Sequence, residues 1–137
     1  MNIRLPKAPI PENAQGYAEM AVGAVKNFDK LDLDYSVKSL EIVDNILHRF
    51  HKEGAAADKI GGILFAFGCY AGEVLIRNFG GKWRKEEETA MKGLAGFFIV
   101  VELPNDKICN PIGKVFKIVQ DGETNGLSYF YHVFTQE

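Results

Sequence analysis

The longest stretch of the chain without a charged residue or a histidine spans residues 60–72, between Lys59 and Glu73. A helix over this stretch is apolar almost all round, which is typical of a helix buried in the middle of a fold. The stretch is too short to cross a bilayer, which takes about 20 residues. Glycine lowers helix propensity, so we expect the glycines here to allow close approach of neighbouring backbones. They stand at positions 61, 62, 68 and 72.

This central helix has sequence signals at both ends. Asp58 is a good N-cap residue, because its carboxylate can accept hydrogen bonds from the first free backbone N–H groups. Gly80 and Gly81 suit the left-handed turn that commonly follows a helix. The sequence therefore predicts a helix from just after Asp58 to about Phe79.

Four further helices are predicted around it, after a proline-punctuated, extended lead-in over residues 1–11. The first covers residues 13–29, the second follows Ser36 as N-cap, and the fourth starts at Asn110 with proline at its first position. Gly122 follows the end of the fourth helix, and a short fifth helix lies near the carboxyl terminus. The apolar stripe predicted for the first helix consists of Tyr17, Met20, Ala21, Ala24, Val25 and Phe28.

Two strands are predicted between the central helix and the fourth. Residues 82–87 form a short strand with Trp83 pointing inward, and residues 97–103 carry the strongest strand signal of the chain. The two pair as an antiparallel hairpin. The predicted fold class is therefore α+β, a helical domain with a short antiparallel β-hairpin packed on a central glycine-rich apolar helix.

Length, charge and cysteine content limit the function classes. The 137 residues fit a single domain over the whole chain. A net charge of −2, from 16 basic and 18 acidic residues, gives no reason to expect nucleic acid or a polybasic membrane anchor. Cys69 and Cys109 follow no metal or redox spacing, and reduced thiols are expected. The amino terminus lacks the apolar core of a signal peptide, so the predicted location is the cytoplasm.

Several short motifs resemble a bacterial pattern. They are SLEIVD at 39–44, GCYAGEVL at 68–75, NFGGKW at 78–83 and NPIGKVFK at 110–117, followed by Gly122 and YFY at 129–131. Together these motifs are similar to small bacterial α+β domains of unknown function, over residues 36–131. The resemblance implies a fold and brings no chemistry. It also implies an immunity-type binder as one role, since some members of such families are suspected of acting in bacterial competition.

The sharpest polar pattern lies on the second helix. Glu41, Asp44, His48 and His51 fall within an arc of about 80° on a helical wheel, so their side chains share one face. Two carboxylates and two imidazoles could hold zinc or iron, with His48 and His51 as the first ligands to consider. The competing interpretation is the polar side that any amphipathic helix needs. These four residues are the candidate binding surface.

Glu73 is the candidate catalytic residue. It closes the apolar run, and Arg77 follows one turn later, at a spacing that favours an ion pair. A buried carboxylate with a raised pKa could act as a general acid or base. The alternative is a structural role, in which Glu73 ties the central helix to a neighbouring segment.

Two functional hypotheses follow. The leading one is a non-enzymatic cytoplasmic protein-binding domain, an immunity-type or regulatory partner of another protein, because no catalytic motif is recognisable. The alternative is a small metal-dependent or carboxylate-based hydrolase that uses the polar side chains of the second helix or Glu73. No cofactor is predicted. An enzyme needs these groups to converge in a cleft, whereas a binder needs an exposed surface.

Overall fold

The computed structural model describes residues 4–93, 96 and 98–136 of the chain. These residues form an α+β fold of five helices and a three-stranded antiparallel sheet, as the sequence predicts. The helices are α1 (Ala14–Asp29), α2 (Leu40–Lys52), α3 (Gly61–Asn78), α4 (Pro111–Asp121) and α5 (Leu127–Thr135). The strands are β1 (Lys82–Lys85), β2 (Ile99–Glu102) and β3 (Ile108–Cys109). Short 3-10 turns cover Pro11–Asn13, Val37–Ser39 and Glu86–Glu88.

Helix α3 is the centre of the fold, with α1 and α4 packed against it. Every residue of α3 from Leu64 to Leu75 is buried. Gly68 shows why a glycine is required there, because a Cβ at this position would lie 2.5 Å from the Cα of Ile112 in α4. The expected close approach of backbones is therefore confirmed at Gly68.

The predicted start of α3 is wrong. Asp58 is exposed and does not cap the helix, which begins three residues later at Gly61. The intervening backbone forms a turn in which the N–H of Lys59 donates to the carbonyl of Ala56 at 2.9 Å. An N-cap signal identifies a residue that can begin a helix, and here the turn takes precedence over that signal.

The hairpin forms in the predicted orientation, with Trp83 of β1 opposite Val101 of β2. Strand β1 stops at Lys85 because the next three residues form a 3-10 turn. The predicted second strand is shorter in the structure, running from Ile99 to Glu102, and its first predicted residue, Phe97, lies outside the described residues. A third strand that the sequence did not suggest, β3, pairs with β2.

The apolar stripe of α1 is narrower than predicted. Tyr17, Ala21 and Val25 are buried, but Met20 is 45% exposed and Phe28 is 85% exposed. The buried side is completed by Ala14 and Ala18, so small side chains bring α1 close to α3. Met20 and Phe28 lie outside that contact.

Two further features concern the cysteine thiols and the length of the apolar helices. Cys69 and Cys109 are buried free thiols, and burial raises the pKa of both. In the part of the chain that the structure describes, no helix combines the length and apolar character needed to cross a membrane.

Candidate functional site

The polar strip of α2 is formed by Glu41, Asp44, His48 and His51. Three of these residues, Asp44, His48 and His51, contact α4, α5 or the segment that joins them. The Asp44 carboxylate accepts hydrogen bonds from the backbone N–H groups of Leu127, at 2.6 Å, and Ser128, at 3.3 Å. These two N–H groups belong to the first turn of α5, where they have no partner within the helix. Asp44 therefore caps α5 from another helix, and its negative charge lies at the positive end of the α5 dipole.

The two histidines bind backbone carbonyls of the connecting segment and of the last turn of α4. His48 Nε2 lies 2.8 Å from the carbonyl oxygen of Glu123, and His51 Nδ1 lies 2.7 Å from that of Val119. A carbonyl oxygen can only accept, so each of these ring nitrogens carries the hydrogen. The two imidazoles thereby fasten the end of α4 and the following turn to α2.

Two glycines of the connecting segment make room for these side chains. Gly122 has φ +69° and ends α4, and a Cβ there would overlap the ring of His51. Gly126 precedes α5, and a Cβ there would overlap the carboxylate of Asp44. The side chains of His51 and Asp44 therefore occupy the space that these two glycines leave open.

The four residues of the strip consequently have different environments. Asp44 and His48 are partly buried against the connecting segment, whereas Glu41 and the outer side of His51 are exposed. Their donor atoms do not form a metal site, since among the described residues no three His, Cys, Asp or Glu side chains are grouped to hold an ion. Whether the exposed part of the strip binds a partner stays a prediction.

Glu73 lies in the carboxyl-terminal part of α3. Its side chain is buried, with 8% of the residue exposed. One carboxylate oxygen accepts from Trp83 Nε1 at 2.9 Å, and the other accepts from Arg77 Nε at 3.3 Å. Both oxygens are therefore engaged within the chain, and Glu73 joins α3 to β1 through the indole. The Trp83 ring lies against Gly72, where a Cβ would overlap it.

Arg77 extends this cluster to the segment between α1 and α2. Its guanidinium carbon lies 3.6 Å from the centre of the Tyr35 ring, a cation–π contact. The Tyr35 hydroxyl donates to Glu19 at 2.6 Å, and its backbone N–H donates to the hydroxyl of Tyr70 at 2.8 Å. Burial and the neighbouring Glu19 carboxylate raise the pKa of Tyr35. These groups stabilise the left-handed backbone of Tyr35, which has φ +64°.

Sequence reasoning missed Tyr35 and Tyr70. Tyr35 lies in no recognisable motif, the motif at 68–75 assigns Tyr70 no role, and their contact joins residues 35 positions apart. The one local signal was the adjacent Asp34-Ser36 turn, in which Ser36 donates to the Asp34 carboxylate. That turn indicates a structured segment but does not indicate which side chains it brings together.

A surface pocket of about 570 Å³ lies elsewhere, between the lead-in and the turn after β1. Its walls include Pro9, Ile10, Lys85, Glu87 and Phe98. None of the polar residues predicted from the sequence as site residues lines it. The candidate polar groups and this pocket therefore do not combine into one catalytic cleft.

Exposed large apolar side chains are concentrated near α1. Among the described residues, half of these side chains lie between positions 20 and 31, namely Met20, Phe28 and Leu31. Phe28 lies in the last turn of α1, and Leu31 follows Lys30, the residue with left-handed backbone directly after the helix. We call Phe28 and Leu31 the apolar tip. Charged residues border the tip, including the ion pairs Lys26–Asp32 at 3.9 Å and Arg49–Asp29 at 3.0 Å.

Comparisons of this chain with protein-family profiles, with curated proteins and with solved structures gave no match. The resemblance to small bacterial α+β domains therefore stays a prediction.

Proposed function

We propose that this chain is a non-enzymatic protein-binding domain of the cytoplasm, a regulatory or immunity-type partner of another protein, and that it binds through the apolar tip. The observation that carries the proposal is the exposure of Phe28, of which 85% is accessible to solvent. Aromatic side chains contribute most of the binding energy in many interfaces, in which a few central residues dominate.

The surroundings of the tip support this role. Protein interfaces commonly have an apolar centre and a charged, solvent-accessible rim. Phe28 and Leu31 provide the apolar centre, and Lys26, Lys30 and Asp32 are exposed around them.

The polar candidates favour a structural role over catalysis. Glu73 uses both carboxylate oxygens for Trp83 and Arg77. Asp44, His48 and His51 use their polar atoms to hold the segment between α4 and α5. A catalytic group must reach a substrate with an available atom, and these side chains are occupied by the fold.

The test is affinity capture from a bacterial extract, with the wild-type chain and a Phe28→Ser variant as baits. We expect a protein that the wild type retains and Phe28→Ser loses, while the fold is unchanged by circular dichroism because Phe28 packs on little. The matched control is Tyr129→Ser, which removes another exposed aromatic side chain, on α5. Equal capture by wild type and Phe28→Ser, or loss only in Tyr129→Ser, would overturn the proposal.

A further inference from the structure

Helix α1 has a second unusual surface, on the side turned away from α3. Gly16, Met20, Gly23 and Asn27 fall within an arc of about 60°, and we call this set the outer face of α1. Met20 is 45% exposed. A Cβ added at Gly16 or at Gly23 would meet no atom of the described chain within 4 Å. The outer face is therefore a shallow surface with one large apolar side chain between two open glycine positions.

The fold itself does not explain these glycines. Each glycine inside a helix costs stability relative to alanine. At Gly68 and Gly72 the cost accompanies a close contact, because a Cβ would overlap Ile112 or Trp83. At Gly16 and Gly23 no such contact exists among the described residues.

We propose that the outer face pairs with the same face of a second copy of this chain, with the two α1 helices antiparallel. The middle of α1 (Ala14–Asp29) lies between residues 21 and 22. A two-fold axis through that point places Met20 of one copy against Gly23 of the partner subunit, and the reverse contact follows by symmetry. The large side chain of each helix then fills the space that the glycine of the other leaves open.

Charge complementarity supports the same occupant and the same orientation. Glu19 and Lys26 lie on one flank of the outer face, seven residues apart, and both are exposed. In an antiparallel pair equivalent flanks face each other, so Glu19 lies beside Lys26 of the partner subunit on both sides of the axis. A parallel pair would place these two side chains on opposite sides of the interface.

Both charged groups are available for this contact. Tyr35 donates to the Oε1 atom of Glu19, which leaves Oε2 for a second donor. Lys26 pairs with Asp32 at 3.9 Å, and both side chains are more than 70% exposed, so that pair contributes little and can exchange.

This self-association is distinct from the binding proposed for the apolar tip. Phe28 lies about 110° around the helix from the centre of the outer face. We therefore expect the Phe28→Ser variant to remain a dimer. A failure of either proposal leaves the other testable on its own surface.

Sedimentation equilibrium of the purified chain tests the pairing. We expect a monomer–dimer equilibrium for the wild type and a monomer for Gly23→Leu, which fills the space needed by Met20 of the partner subunit. Because that space is open in the single chain, Gly23→Leu should keep or raise the melting temperature. Asn45→Leu, at an exposed position of α2, is the matched control and should dimerise as the wild type does. A wild type that stays monomeric up to about 1 mM, or a Gly23→Leu dimer of unchanged affinity, would overturn the proposal.

Charge reversal tests the orientation. Glu19→Lys and Lys26→Glu should each weaken the homodimer about tenfold, because both symmetric contacts become repulsive. An equimolar mixture of the two variants should recover the dimer, since both cross-contacts are attractive again. Circular dichroism of each variant establishes that it is folded. A mixture that associates no better than its components would exclude the antiparallel arrangement.

Discussion

The carboxylate of Asp44 caps a helix that begins 83 residues later in the chain, accepting from the N–H of Leu127 at 2.6 Å. His48 binds a carbonyl of the segment that precedes α5, and His51 binds a carbonyl in the last turn of α4. The polar strip of α2 thus positions α5 on the body of the protein.

We expect Asp44→Ala to lower the free energy of unfolding by about 1–2 kcal/mol, the usual cost of losing a helix cap. Asp44→Asn retains an acceptor oxygen and should recover part of this loss. Glu41→Ala is the control, because Glu41 lies on the same strip and is exposed; it should change stability by less than about 0.5 kcal/mol. Urea unfolding monitored by circular dichroism measures all three. Equal stabilities of Asp44→Ala and Glu41→Ala would contradict the capping role.

The capping of α5 by Asp44 shows which parts of the structure could be predicted from the sequence. Caps are local signals, and Asn110 accepts from the backbone N–H of Gly113 as predicted for the start of α4. Ser36 also accepts from a backbone N–H three residues on, but it caps the 3-10 turn Val37–Ser39, and α2 begins only at Leu40. The amphipathic pattern correctly separated the apolar and polar sides of α2. However, a helical wheel gives the direction of a side chain and does not give the segment that faces it. The contacts of Asp44 and His51 with residues far along the chain could therefore not be predicted from the helical pattern.

Glu73 and Phe28 also show that tertiary contacts could not be predicted from the sequence pattern. Glu73 was identified as buried or functional because it closes an apolar run, and it is buried, but its partner Trp83 could not be named from the sequence. Phe28 fitted the apolar stripe of α1, yet it extends beyond the contact with α3. Its exposure depends on how far α3 covers the end of α1, which is a property of the tertiary packing.

Gly72→Ala should displace the only tryptophan of the chain. A Cβ at residue 72 would overlap the Trp83 ring, so the indole must move and its hydrogen bond to Glu73 is lost. We expect a destabilisation of about 1–3 kcal/mol, as for other overpacked cores, together with a red shift of the tryptophan emission. Gly62→Ala is the control, because its nearest contact is an ordinary 3.6 Å. An unchanged emission spectrum for Gly72→Ala would show that Trp83 is not held as described.

The buried thiols predict a pH dependence of stability in the alkaline range. Burial raises the pKa of the Cys109 thiol to about 12, against about 8.5 for an exposed cysteine. The unfolded chain therefore releases the thiol proton first, and the free energy of unfolding falls as pH rises from about 8.5 towards 12. The contribution of Cys109 is fully present below about pH 8.5. We expect Cys109→Ala to show a shallower decline than the wild type over this window, measured by urea unfolding at a series of pH values. Parallel declines would contradict the burial of this thiol.

Site-specific photo-crosslinking in bacterial cells reports directly which surface of the protein touches a partner. A photoreactive phenylalanine analogue is placed at position 28 of the apolar tip, and in a matched chain at position 41 of the polar strip. We expect a specific adduct with another protein from position 28 and none from position 41. An adduct from position 41 without one from position 28 would contradict this expectation, and would assign binding to α2.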